Sequence, residues 1–156
     1  MPVSDTTLPA LQELLLNTVK GVTPSTTRGQ GRDRWRNRRG NKRGPASNNT
    51  RAFHLELFGD REAADDMPIT TASETRDVTC VVITDYSLPQ QHAYPVIGED
   101  NADLRDAFSD LHLDGSNGIW FVRAEDFTDP PEDSDGPFQI AHEFTVTYQR
   151  SRTYGS

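Results

Sequence analysis

Between Arg28 and Arg43 the chain places Arg28, Arg32, Arg34, Arg36, Arg38, Arg39, Lys42 and Arg43 among glycines and asparagines, with Trp35 as the lone aromatic and Asp33 as the lone acid. Cations at this density bind polyanions. They track a phosphate backbone while an interleaved indole stacks on or wedges between bases. The same guanidinium groups pair as well with carboxylates on a protein surface. These nine residues, Trp35 and the eight cations, are the candidate partner-binding or nucleic-acid-binding set, and the residue types leave both partners open, together with a solubilising insertion that binds nothing.

Other chemistry is tested by spacing. A calcium loop needs oxygen ligands at its first, third and fifth positions, Gly at the sixth and Glu at the twelfth. Around Gly136 the first position is Pro131 and the twelfth His142; around Gly115 the twelfth is Phe121, so neither loop closes an oxygen shell. His54, His92, His112 and His142 show no HExxH spacing and have one cysteine to join them, so a zinc site would have to assemble in space, and scattered histidines are the commoner case. There is no phosphate-binding GxxxxGK[ST], and the GSNG at 115–118 is too short for a nucleophile elbow. Carboxylates are so abundant that no pair stands out as acid and base. The expectation is a chain without catalytic residues, metal or cofactor. Cys80 lies inside the apolar run CVVI and reads as a small buried side chain.

The net charge of −8 is unevenly spread. Arg28 to Arg51 holds nine cations and one acid, so the other residues sum to −16. Such polarity suits a chain that meets acidic surface, on nucleic acid or on another copy of itself. With 156 residues, 33% of them hydrophobic and 26% charged, one domain is expected, part of it ordered only against a partner. The N-terminus lacks a cationic start before its apolar part, and no apolar run is long enough to span a bilayer, so a soluble chain made in a cytoplasm is expected. On that expectation Asn48-Asn49-Thr50 is a chance glycosylation match.

The elements that would carry this surface follow from periodicity. Leu11, Leu14, Leu15 and Val19 recur at helical steps over Pro9–Lys20, with Thr6 or Thr7 as cap, Pro9 in the first turn and Gly21 at the end. Residues 22–50 have almost no aliphatic side chains and read as a basic arm or long loop. RAFHLELF alternates and reads as a strand; Gly59–Thr75 reads as a loop; RDVTCVVITDY, Arg76 to Tyr86, is apolar on both faces and reads as the central strand. A helix is expected in EDNADLRDAFSDLHL, a strand from Ile119, an acidic loop in TDPPEDSDGP, and a last strand from Phe138 in which His142 faces inward or a bulge shifts the register. The expected architecture is α+β: a four-stranded, mainly antiparallel sheet with two helices packed on it and a long basic arm. Its parts are an N-terminal helix at 1–21, the arm at 22–50 and the rest of a single domain at 51–156.

A short first helix, the arginine-led strand TRAFHLELF, RDVTCVVITDY, the helix NADLRDAFSDL, a strand after a Gly turn and the closing HEFTVTYQRS, with its late Tyr and Arg, resemble the tail-terminator, or tail-completion, proteins of long-tailed bacteriophages. The resemblance covers about Arg51 to Arg152 and the first helix. It lies in element order and strand style, so no functional residue is carried over by motif. The Arg28–Arg43 arm and the Gly59–Thr75 loop are longer than that pattern. The resemblance implies a structural virion protein of the neck: a six-fold ring that caps the tail tube, stops its growth and joins it to the head connector, with packaged DNA passing through. The nearest alternative is another head-tail joining or stopper protein. From other classes come a regulatory nucleic-acid-binding protein that uses the arm, and a small hydrolase.

Overall fold

A computed structural model describes residues 3–26, 34–37, 50–63, 72–86, 90–129 and 138–152. In chain order the elements are α1 (Leu8–Lys20), β1 (Arg34–Asn37), β2 (Thr50–Glu62), β3 (Ser73–Tyr86), α2 (Gln90–Ser109), two short 3-10 turns (Leu111–Leu113 and Gly115–Asn117), β4 (Ile119–Phe127) and β5 (Phe138–Ser151). The sheet order is β1-β2-β3-β5-β4. All neighbours are antiparallel except β1 and β2, which run parallel. The α+β class stands, and the four-stranded sheet is corrected to a five-stranded mixed one. The added strand, Arg-Trp-Arg-Asn, comes from inside the stretch read as an arm. Four residues with two arginines show no apolar period; the strand exists because Trp35 packs against the core at an edge-to-face angle to Phe53, with centroids 6.0 Å apart.

The α1 helix follows its sequence signals. Thr7 accepts from the Ala10 N–H at its start, Pro9 sits in the first turn, and Leu11, Leu15 and Val19 are fully buried at steps of four. Each such side chain contributes about 1.5–3 kcal/mol of burial. The α2 helix starts earlier than Glu99, at Gln90, and contains Pro95. A proline this close to the start removes a single helical hydrogen bond, to the carbonyl of residue 91, so the helix continues past it. Ile97, Leu104 and Phe108 anchor α2, and Phe108 meets Phe144 of β5 in a T-shaped contact at 4.8 Å.

As expected, β3 is central. Its pairing with β5 runs without interruption from Ser73↔Ser151 to Tyr86↔Phe138. Period two therefore holds along β5, and Phe138, Ile140, His142, Phe144, Val146 and Tyr148 all bury on the side of the helices. His142 is thus tolerated inside without a bulge.

The bulge lies in β2, where register shifts between Phe58 and Arg61 and Gly59 adopts φ 68°. Gly59 and Asp60 together oppose Val78, the arrangement in which a left-handed glycine opens a bulge. One extra residue turns Asp60 onto the helix side, which simple alternation from Leu57 would not do. The hairpin loop is also shorter than Gly59–Thr75, because β2 continues to Glu62 and β3 starts at Ser73.

Candidate functional site

The densest polar constellation is buried between α2 and the sheet. Arg51 begins the inward-facing series of β2, and its Nε donates to Asp100 Oδ1 of α2 at 2.9 Å. The Tyr86 hydroxyl donates to Asp100 Oδ2 at 2.8 Å and lies 3.3 Å from His142 Nε2, while Asn101 Nδ2 lies 3.0 Å from His142 Nδ1. With the Tyr86 proton donated to Asp100, its oxygen can accept from His142 Nε2–H. Nδ1 then accepts from the Asn101 amide, so the neutral Nε2–H tautomer satisfies both ring nitrogens.

A carboxylate, a phenol and an imidazole in series are the parts of a proton relay. Here Arg51, Tyr86, Asp100 and His142 are each 0% exposed, so no substrate reaches them. The arrangement ties α2 to β2, β3 and β5, and the buried charges of Arg51 and Asp100 compensate one another. Arg51 also donates through its Nη2 to the Thr26 carbonyl at 2.6 Å, and Ser25 N donates to Asp103 Oδ2 at 2.8 Å. The chain is thereby fastened to β2 and α2 at the point where the basic stretch begins.

A second cluster lies where the bulge delivers Asp60. Its Oδ1 accepts from the Tyr148 hydroxyl at 2.6 Å and its Oδ2 from Arg76 Nε at 3.0 Å, with Arg150 3.6 Å away. Glu74 stands 3.7 Å from Arg76 and 4.0 Å from Arg150. Burial, then the bond to Asp60, pushes the Tyr148 phenol up to about 12. Beside this cluster a pocket of about 430 Å³ opens between the 5–9 segment and the Tyr148, Arg150 and Ser151 end of β5.

That N-terminal segment is held by backbone bonds from Ser4 N to the Gly115 carbonyl and from Thr6 N to the Gln149 carbonyl. The Asp5 carboxylate accepts from Gln149, Ser73 and Ser151, and these bonds hold it below the usual carboxylate range. Asp60 and Glu74 are offset by Arg76 and Arg150, and the cluster serves to close the end of the sheet.

Of the nine candidate arm residues, Arg28, Arg32, Arg38, Arg39, Lys42 and Arg43 lie outside the described residues. Arg34 begins β1 and Arg36 is exposed on it. Trp35 is 3% exposed, beside Phe53 and with the Arg51 guanidinium 5.9 Å from its ring centre. Arg51, counted above with the basic stretch, is spent on Asp100.

His54 lies 3.5 Å from Glu56 and His112 is bonded to the Ser109 carbonyl, while the His92 side chain lies outside the described residues. Asp114, a ligand position of the tested calcium loop, instead accepts from Ser116 N and Oγ and caps a turn. Among the described residues no group of three or more His, Cys, Asp or Glu could hold a metal ion, and no helix is long and apolar enough to cross a membrane.

No family model and no curated protein matches the chain. Among solved structures, the sheath/tube terminator of PVC, an extracellular contractile injection system, in its extended state, is similar over 99% of this chain at a TM-score of 0.47 and 12% identity. The chain spans 60% of that protein's length. At that distance the functional reading has to come from this chain's own residues.

Proposed function

We propose that this chain is a non-catalytic assembly subunit, the terminator of a tail tube, acting as a ring that caps the tube and joins it to a head connector. The observation that carries the reading is the separation of charge. With Arg51 internal, Arg28–Arg43 still holds eight cations against one acid in a chain of net charge −8. A closed ring is built from head-to-tail contacts, in which a positive surface on one copy meets a negative one on the next. The element order on which the resemblance to phage tail-terminator proteins rests is present in the fold, with β1 added. Its densest polar site is sealed, and its chemistry is spent on holding α2 to the sheet.

Burial of Trp35 beside Phe53 supports the protein-partner reading over one in which the indole stacks on a base. Contact of the remaining arm cations with packaged DNA stays compatible with a ring around it.

The test is mass in solution by light scattering at low and high salt, alone and with tail-tube protein. The parent is compared with a variant in which Arg38, Arg39, Lys42 and Arg43 are all glutamine and β1 is intact. A salt-sensitive ring, weakened in the variant, is expected. A monomer that joins neither copies of itself nor tubes under any of these conditions refutes the proposal.

A further inference from the structure

We infer that copies of this chain join edge to edge, with β4 of one copy adding to β1 of the next, so that the sheet continues from subunit to subunit. This rests on the self-assembly reading above and names the surfaces that make it. Among the described residues β4 has only β5 beside it and β1 only β2, so each presents one edge of backbone donors and acceptors. Such an edge is a template for another strand.

The two edges match in length. Register shifts between Ile119 and Phe121 and again between Ala124 and Phe127 confine the regular part of β4 to Phe121–Ala124, four residues, and β1 is four residues long. The bulges at either end stop a longer, unspecific pairing. Arg123, Ala124, Glu125 and Asp126 are exposed although they alternate between the two faces of the sheet, so this half of β4 stands clear of the chain's own core.

The edges also match in charge. Strand β1 has Arg34 and Arg36 and no acid, whereas β4 and its continuation carry Glu125, Asp126 and Asp129 against Arg123. In the sequence around them, 28–43 is net +7 and 119–137 net −5. Opposite signs at opposite edges of one sheet favour a heterologous contact over a two-fold one, in which like edges would meet.

Topology sets the direction of pairing. β1 and β2 run one way, β3 the other, β5 back and β4 opposite to β5, so β4 is antiparallel to β1. A rotation that repeats the sheet side by side keeps strand direction, and β4 then meets the next β1 antiparallel. Parity narrows the register. Trp35 pairs with Arg51 on the helix side and Val122 pairs with Val146 on that side, so Arg36, Phe121 and Arg123 belong to the other face.

The test is disulfide trapping in the full chain. Arg36→Cys combined with Arg123→Cys puts two exposed thiols on one face, and within a subunit four strand spacings, about 19 Å, keep them apart. Cys80 is fully buried with its thiol pushed up to about 12, so it does not compete. Under mild oxidation a ladder of covalent oligomers is expected on a non-reducing gel. Arg36→Cys with Ala124→Cys, on opposite faces, is expected to give at least several-fold less. The two single-cysteine chains mixed together should yield heterodimers and nothing larger.

Equal trapping in both pairs overturns the inference. So does assembly by light scattering without a ladder, which leaves the ring reading standing. A parent chain that stays monomeric both alone and with tail-tube protein overturns both.

Discussion

Asp100→Asn is the sharpest test of the buried network. The substitution keeps size and shape but removes the charge that faces Arg51 at 2.9 Å, and replaces one of two acceptor oxygens with a donor, where the Tyr86 hydroxyl now donates at 2.8 Å. Both partners are 0% exposed and water does not take over either bond. Removing one member of a buried ion pair costs about 3–5 kcal/mol, against a total of roughly 5–15 kcal/mol for a domain. At about 2–4 °C per kcal/mol for a chain of this size, the midpoint should fall by roughly 6–20 °C.

The assay is urea and thermal unfolding followed by circular dichroism, with Arg51→Met, Asp100→Leu and their double variant added to form a cycle. The double variant should recover most of the loss, because an apolar pair leaves no charge stranded. Its residual deficit includes the bonds from Arg51 to Thr26 and from the Tyr86 hydroxyl to Asp100. A loss below about 1 kcal/mol for Asp100→Asn, within the range of solvated pairs, would refute the closed network. Strict additivity in the cycle would do the same.

Gly118→Ala should be destabilising well beyond an ordinary surface change, since φ is 76° and the new Cβ would stand 2.6 Å from Thr6 Cβ; faster exchange of the Thr6 amide would show the 4–6 segment released. Asp5→Asn should be less stable than the parent at neutral pH. Because the folded carboxyl lies below its unfolded value of 3.8, that difference is complete above the unfolded value and disappears as pH falls through the folded one, readable as converging acid-unfolding curves. Cys80 in the native chain should resist a thiol reagent at pH 8 and react at the unfolding rate, since its pKa is pushed up to about 12 by burial; modification at the rate of a free thiol would contradict that placement.

Much of the fold was legible because a face that meets a core leaves a local period. The four-step spacing of Leu11, Leu15 and Val19 and the β-branched run through Cys80 report their burial within one element, and the order α, β, β, α, β, β follows from such runs. The features that misled were short or non-periodic: β1, whose Trp35 lay in a stretch read as an arm, and the start of α2, which lies at Gln90 and not at the acidic run from Glu99. Among functional residues, Tyr148 and Arg150 were visible as the end of the last strand. Their partner Asp60 was not, since a single inserted residue at Gly59 reverses the face that alternation assigns.

Sequence alone therefore determined the secondary elements other than β1 and the first turns of α2, the central place of β3 and the charge polarity that the proposed assembly uses. Tertiary structure decided which polar residues meet: Arg51, Tyr86, Asp100 and His142 come from four elements, and no spacing relates them. It also decided that Arg51 faces Asp100, and that β1, with Arg36, and β4, with Glu125 and Asp126, are the two end strands of the described sheet. The physical reason is that local pattern encodes burial of a face, whereas contact between faces depends on strand order and register, which only the closed chain sets.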